Sequence, residues 1–479
     1  MLRKIIPFIV FVLLLKQGAA QQNWAGVPCY HPKIVNDEVY NMFLDSLHNQ
    51  IILNSVYGYS ACSTKYKGVF AYDGVNFRDL DYGLDAYNPN PSAGGDMTLD
   101  CITYGNKTLF GGAFASVGSN TLYAEAIALW NGAVWDTFPK RCFRSNPARN
   151  GNGAGINGFT KANGKLWIYG GFDTIGAVIT KNIATFDGNN FGVVPSIPSD
   201  YDWYVTKILP YKNKLYAIGN FITYTSTPAF KQVAMYDGTS WAPVGNGING
   251  GLNSPRNMII YNDTLYIAGT WGAGGGNVGN YIMKWDGTQL RDAGFTSPYF
   301  GYYGISGLAV HRNRLYVSGA FKSPTGNSGF GIAYYQNGQW TTPNDSILGM
   351  GTLLVFNNEL YGAGNFKQIK GDTNIRNFAK LLCPDFDAAT GCLSGLIENR
   401  YKLEVKVFPN PSNGIINIEF EQNVSIDKLG ITNTLGQQVY TILTPEPKQE
   451  IDISHLSPGI YFLKAENRQG QGVFKLIKE

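Results

Sequence analysis

The sequence predicts an all-β chain: a seven-bladed β-propeller followed by a small immunoglobulin-like β-sandwich. Three observations predict it. Of 479 residues, 14% are aromatic and 58 are Gly, while only 15% are charged. That balance suits short strands joined by tight turns, and opposes both helical arrays and acidic disorder. A motif recurs about every fifty residues through the middle of the chain, and the period stops at Leu403. The net charge is +4, and without Arg3, Lys4 and Lys16 it is +1, so nothing in the charge balance calls for a nucleic-acid partner.

Residues 1–20 read as a signal peptide. Met1–Lys4 is basic, Ile5–Leu15 is an apolar run of eleven, and Gly18, Ala19 and Ala20 are small, which sets a cleavage site before Gln21. Eleven helical residues cover about half of a ~30 Å hydrocarbon core, so no transmembrane span is expected; a short core helix is the alternative. Six cysteines, Cys29, Cys62, Cys101, Cys142, Cys383 and Cys392, suit an oxidising compartment and show no CxxC pair. They allow 15 pairings. Sequence neighbours (29 with 62, 101 with 142, 383 with 392) are the expected bridges, with buried free thiols as the alternative.

The propeller is read from residues 21–387. Six segments end in Gly-x-aromatic: TLFGGAF, KLWIYGGF, KLYAIGNF, TLYIAGTW, RLYVSGAF and ELYGAGNF. Their anchor glycines are Gly112, Gly170, Gly219, Gly269, Gly319 and Gly364, spaced 58, 49, 50, 50 and 45, and a degenerate copy carries Gly58. A turn pair precedes each anchor strand, such as Asn163-Gly164 or Asn262-Asp263, and Asn106-Lys107 in the second copy. A second motif follows most anchors: YDGVNF, WNGAVW, FDGNNF, YDGTSW and WDGTQL, with YQNGQW as a shifted form. Each unit is therefore four antiparallel strands, and such sheets stacked about an axis make blades. These residues resemble the kelch repeat family, with Gly111-Gly112 and Gly170-Gly171 as its paired glycines. In most copies the second Gly is replaced, so the resemblance implies the fold and carries no activity. An open solenoid is the structural alternative. The seventh copy lacks a fourth strand after Arg376–Cys383, and Gln22–Val27 lies unpaired at the other end, matching Ser240–Gly245 with Trp24 where Trp241 stands. That N-terminal segment is expected to pair with Arg376–Leu382 and close the seventh blade.

After a linker at 388–402, residues 403–479 hold seven short alternating strands, which reads as a small sandwich. This stretch resembles the type A C-terminal sorting domain of the type IX secretion system. The matching residues are Phe408, Pro409, Asn410, Pro411, Asn417, Leu435, Gly436, Leu456, Ser457, Pro458, Gly459, Ile460, Tyr461 and Lys475. The resemblance implies export across the outer membrane of a Gram-negative bacterium, with the type IX translocon and sorting machinery as partners. It also implies a cell-surface or extracellular destination, and a cut between Ala388 and Arg400.

Catalytic motifs are sparse. GxGxxG occurs at Gly153–Gly158 and Gly245–Gly250, but both stretches precede strands, whereas a phosphate cradle needs a helix. The four histidines, His31, His48, His311 and His455, form no HExxH, and GxSxG is absent. Asp79, Asp81 and Asp85 alternate without the order of a calcium loop. No cofactor, metal or catalytic residue is assigned. Loop aromatics form the candidate ligand-binding face: Tyr82, Tyr87, Tyr201, Trp203, Tyr204, Tyr299, Tyr302 and Tyr303, with rings folded inward as the alternative. The expected function is a binding module for glycan or protein; the alternative is a secreted glycan-active hydrolase or lyase on the same scaffold.

Overall fold

The computed structural model describes residues 24–27, 39–55, 59–61, 64–66, 68–81, 83–85, 97–119, 122–138, 142–143, 155–200, 203–225, 227–249, 255–295, 304–321, 331–341, 347, 349–369, 372–373, 375–382, 386–387, 391–392, 401–402, 405–420, 426, 428–433, 438–443, 446, 448–466 and 470–479. The chain divides into two compact units, Met1–Gly391 and Cys392–Glu479. Among the described residues the regular elements are all strands apart from one short 3-10 turn at Ala273–Gly275, and no helix is long and apolar enough to cross a membrane.

The first unit holds seven four-stranded antiparallel sheets in chain order. Sheet one is Asn41–Asp45, Gln50–Asn54, Val69–Tyr72 and Phe77–Asp79. Sheet two is Met97–Tyr104, Lys107–Ala113, Ile127–Trp130 and Trp135–Thr137. Sheet three is Gly155–Ala162, Lys165–Gly171, Ile183–Phe186 and Phe191–Val193. Sheet four is Val205–Tyr211, Lys214–Ile222, Lys231–Tyr236 and Trp241–Pro243. Sheet five is Pro255–Tyr261, Thr264–Gly269, Ile282–Trp285 and Leu290–Asp292. Sheet six is Ile305–His311, Arg314–Gly319, Ile332–Gln336 and Gln339–Thr341. Sheet seven takes Met350–Phe356, Glu359–Gly364 and Phe378–Leu381 from one end of the unit and Trp24–Gly26 from the other. There Trp24 pairs with Leu381, Ala25 with Lys380 and Gly26 with Ala379.

Two local devices recur. The tight turns between first and second strands carry paired positive-φ residues, as at Lys212-Asn213, Asn262-Asp263, Arg312-Asn313 and Asn357-Asn358. Such turns match the twist of the flanking strands, and Asn tolerates the left-handed region. In sheet two the turn is Gly105-Asn106, and Lys107 opens the next strand instead of sharing the turn. Before the fourth strand, Asp73, Asn131, Asp187, Asp237 and Asp286 each accept two backbone amides through Oδ1. These recurrent residues close hairpins, which explains their repetition.

Each sheet buries both faces. Ile52, Val69 and Ala71 of sheet one pack on Phe110, Trp130 and Trp135 of sheet two. Equivalent clusters join sheets two to three, three to four, four to five, five to six and six to seven. A seventh cluster sets Phe356, Tyr361 and Phe378 of sheet seven against Met42, Ile51, Phe70 and Tyr72 of sheet one. Second strands are consequently apolar at consecutive positions, as in Gln50–Asn54 and Leu166–Gly171, because neither face meets water. Each large side chain buried this way contributes about 1.5–3 kcal/mol.

The second unit has a five-stranded sheet (Tyr401–Lys402, Gly470–Lys478, Gly459–Glu466, Lys428–Asn433, Gln438–Leu443) and a three-stranded one (Val405–Phe408, Ile415–Phe420, Lys448–Asp452). They share one core that includes Ile416, Ile418, Leu429, Ile431, Leu463 and Leu476. The expected linker is not all linker: Tyr401–Lys402 pairs in parallel with Gly470-Gln471, adding an edge strand ahead of residue 403.

Candidate functional site

The site follows from a register slip. In sheets two to seven, pairing between the first two strands shifts by one residue beside the anchor glycine. Glycine is required at the anchor because the first strand approaches closely: a Cβ at Gly170 would overlap the carbonyl oxygen of Gly155, and one at Gly219 that of Tyr204. Just past the slip, six residues occupy equivalent places: Asp100 opposite Gly111, Gly158 opposite Tyr169, Lys207 opposite Ile218, Asn257 opposite Ala268, Gly307 opposite Ser318, and Thr352 opposite Ala363.

These first strands border a cavity of about 1040 Å³ that draws lining residues from all seven sheets. Asp100, Lys207, Asn257 and Thr352 line it at one level, and Tyr40, Tyr204 and Arg256 line it nearer the strand beginnings. Its wall is stitched from sheet to sheet. Asn157 Nδ2 donates to the Val205 carbonyl (2.7 Å), and Lys207 Nζ donates to Asn257 Oδ1 (2.6 Å). Asn257 Nδ2 donates to the Ser306 carbonyl (3.0 Å), and Ser306 Oγ donates to the Gly351 carbonyl (2.8 Å). Asp100 accepts the Cys101 amide at 2.9 Å and the Phe159 amide at 2.8 Å. Low-dielectric surroundings push the Asp100 carboxyl up to about 7; the Phe159 amide, the Lys207 charge and the Cys101 amide oppose that rise. The same desolvation pulls the Lys207 ammonium down, countered by Asp100. Cys101 is pushed well up by burial, then by the charges of Asp100 and Asp45.

Two expectations need correction. Trp203 is 4% exposed and lies in the core between sheets three and four, edge-on to Phe221 at 6.1 Å, so it offers no face to a ligand. Asn182 Nδ2, donating to its carbonyl at 2.7 Å, fixes the backbone there. Cys101 is a buried free thiol, not bridged to Cys142: its side chain is packed between sheets one and two, with Sγ 3.9 Å from the Leu44 carbonyl. Of the aromatic candidates, Tyr204 lines the cavity. Tyr82, Tyr87, Tyr201, Tyr299, Tyr302 and Tyr303 lie outside the described residues, as do Cys29, Cys62, Cys383, Leu435 and Gly436. Cys142 and Cys392 fall on two-residue strands. Gly155–Gly158, the end of the first glycine motif, opens a strand of sheet three.

In the second unit, Asn410 clips the Phe408–Pro411 segment to the last strand. Its Nδ2 donates to the Lys475 carbonyl (2.8 Å) and its Oδ1 accepts the Ile477 amide (2.9 Å). Tyr461, 8% exposed, donates its hydroxyl to the Ser457 carbonyl at 2.9 Å.

A further polar cluster, which no motif announced, joins sheets one and two. Buried Asp45 accepts Thr108 Oγ1, Gln50 Nε2 and His48 Nδ1, each at 2.7 Å. It serves the packing of the two sheets.

Residues 406–479 match the family described as the secretion system C-terminal sorting domain, and the second unit is such a domain. The protein is exported by type IX secretion to the cell surface or the extracellular space. No curated protein matches the chain. Among solved structures, the extracellular domain of a hybrid two component system from B. thetaiotaomicron is similar at 11% identity and a TM-score of 0.49, covering 96% of this chain and 59% of its own. Sucrose-6-phosphate hydrolase from Lactobacillus gasseri (11% identity, 96% and 88% covered, TM-score 0.25) and Drosophila Semaphorin 2a (9%, 96% and 100%, 0.24) are also similar.

Proposed function

We propose that residues 21–387 form a seven-bladed kelch-like β-propeller, closed by the strand at 22–27, and that this exported unit is a binding module for a glycan or a protein. Support for closure comes from the packing of sheet seven on sheet one and from the strand that Trp24–Gly26 adds to sheet seven. In this reading residues 1–20 are the leader to the periplasm of a Gram-negative bacterium, and the sorting domain meets the type IX translocon there.

The observation that carries the binding role is the cavity of about 1040 Å³, which mixes aromatic rings with a few polar groups. Small-molecule sites have that make-up and occupy about 300–1,000 Å³. Among its described lining residues Asp100 is the single carboxylate. Glycoside hydrolysis ordinarily uses two carboxylates about 5–10 Å apart, so the lining favours binding over a glycan-active hydrolase or lyase. The test is to probe glycan and protein arrays with the purified chain and assay turnover on every hit. Saturable binding without turnover supports the module; turnover assigns the enzyme; silence on both arrays removes the proposal.

A further inference from the structure

Resting on that binding reading, we infer that the central cavity is a site for a short neutral glycan, held through its hydroxyl groups between Lys207 and Asp100. The two residues hold equivalent register places in sheets four and two. Sheet three, between them, has Gly158 at that place, so this position adds no side chain to the gap, and Asn157 beside it is turned to the Val205 carbonyl of sheet four. A Cβ on Gly158 would lie 2.5 Å from Tyr169 Oη, so Tyr169, which lines the cavity, takes the place that a side chain there would need. Lys207 and Asp100 both line the cavity, and no ion pair within 4 Å joins them.

Both groups have bonding capacity left. An ammonium has three donors, and Lys207 gives one to Asn257. A carboxylate has about four acceptor positions, and Asp100 uses two, for the Cys101 and Phe159 amides. A ligand filling the gap must therefore accept on one side and donate on the other. An anion would suit Lys207 and Arg256 but meet the Asp100 carboxylate; a cation has the reverse conflict. A hydroxyl does both at once, and adjacent sugar hydroxyls do it as a pair, with charge-assisted bonds at both ends. Asn257 and Thr352 extend the polar level, while Tyr40 and Tyr204 offer rings to the apolar faces of sugar rings. The volume, about 1040 Å³, has room for more than one sugar unit.

The test uses the full chain at pH 8, where the Asp100 carboxyl is ionised, and calorimetric titration with neutral cello-, xylo-, manno- and chito-oligosaccharides, with oligogalacturonate as the anionic comparator. At least one neutral series should bind, and Lys207→Met and Asp100→Asn should each weaken it tenfold or more. Lys165→Met, exposed at the start of the second strand of sheet three, should leave affinity unchanged. Thr352→Tyr, which crowds the same level from sheet seven, should also cost tenfold or more, and it keeps the test open should either charge variant fail to fold. Neutral glycan binding that survives all three cavity variants would overturn this site and leave the binding module standing. Preference for oligogalacturonate, tightened by Asp100→Asn, would overturn the neutral-glycan assignment. Failure of every oligosaccharide would overturn it too, and the protein array then decides the broader reading separately.

Discussion

Trp24 lies directly opposite Leu381 in an antiparallel pair, so a residue near the start of the chain completes a sheet whose other strands come from 350–381. Its side chain is fully buried, in one cluster with Tyr316, Tyr334, Leu353 and Ala379. Trp24→Ala should therefore destabilise the first unit by about 3–5 kcal/mol, the range for emptying a buried aromatic site. Chemical denaturation measures it. A cost below about 1 kcal/mol would mean that the N-terminal strand is dispensable to sheet seven.

Asp45 of sheet one accepts three side-chain donors, His48 and Gln50 of its own hairpin and Thr108 from sheet two. Asp45→Ala leaves Gln50 and Thr108 buried without that acceptor, and should cost about 2–5 kcal/mol; Thr108→Val, removing one bond, should cost about 1. Double-mutant analysis by urea unfolding separates the two. Additive effects would show that the residues do not act as one network.

Much of this architecture is legible in the sequence because its repeated parts solve a repeated problem. The anchor glycines mark where two strands touch in sheets two to seven, and the Asp-Gly or Asn-Gly pairs mark hairpins in sheets one to six, so both leave a period. The residues at the cavity level leave none, since their type changes from sheet to sheet. Yet a signal exists: Asp100, Gly158, Lys207, Asn257, Gly307 and Thr352 each stand twelve residues before an anchor glycine, at Gly112, Gly170, Gly219, Gly269, Gly319 and Gly364. Short turns and one register slip hold that count constant. Variable chemistry at a fixed offset is the mark of an interior level, and reading only the invariant positions passes over it. Trp203 misled for the opposite reason. A Trp beside two Tyr in a loop looks solvent-facing, but the space between sheets three and four is where it packs.

Removal of residues 406–479 should leave the first unit folded and retained in the periplasm, because the two units are compact separately and the sorting domain directs export. Cell fractionation with limited proteolysis measures both. Equal amounts of truncated and full chain in the medium would mean that another segment directs export. Within the sorting domain, Asn410→Ala removes both bonds of the clip to the last strand and should lower export partially.

Asp100 should make stability fall as pH rises. Its carboxyl ionises near 7 in the folded protein against an ordinary value of 3.8, because burial disfavours the charge more than the Phe159 and Cys101 amides and Lys207 favour it. Between about pH 4 and pH 7 the unfolded chain has lost this proton while the folded chain keeps it. The folded state binds more protons, so the unfolding free energy declines with pH across that window and levels off above it. At about 1.4 kcal/mol per pKa unit, and with solvent reaching the half-buried group, the contribution is on the order of a few kcal/mol. Other carboxylates pull the opposite way: Asp136, Asp286 and Glu419 are held low by hydrogen bonds. The total curve therefore mixes signs, and the informative quantity is the difference between wild type and Asp100→Asn. Near pH 4 the two should be close in stability; by pH 7 the variant should be the more stable, since a neutral amide keeps its place without a charge. Urea unfolding at half-unit steps from pH 4 to pH 8 measures this difference. A difference that stays flat across the window would mean that Asp100 titrates as an ordinary, solvated carboxylate.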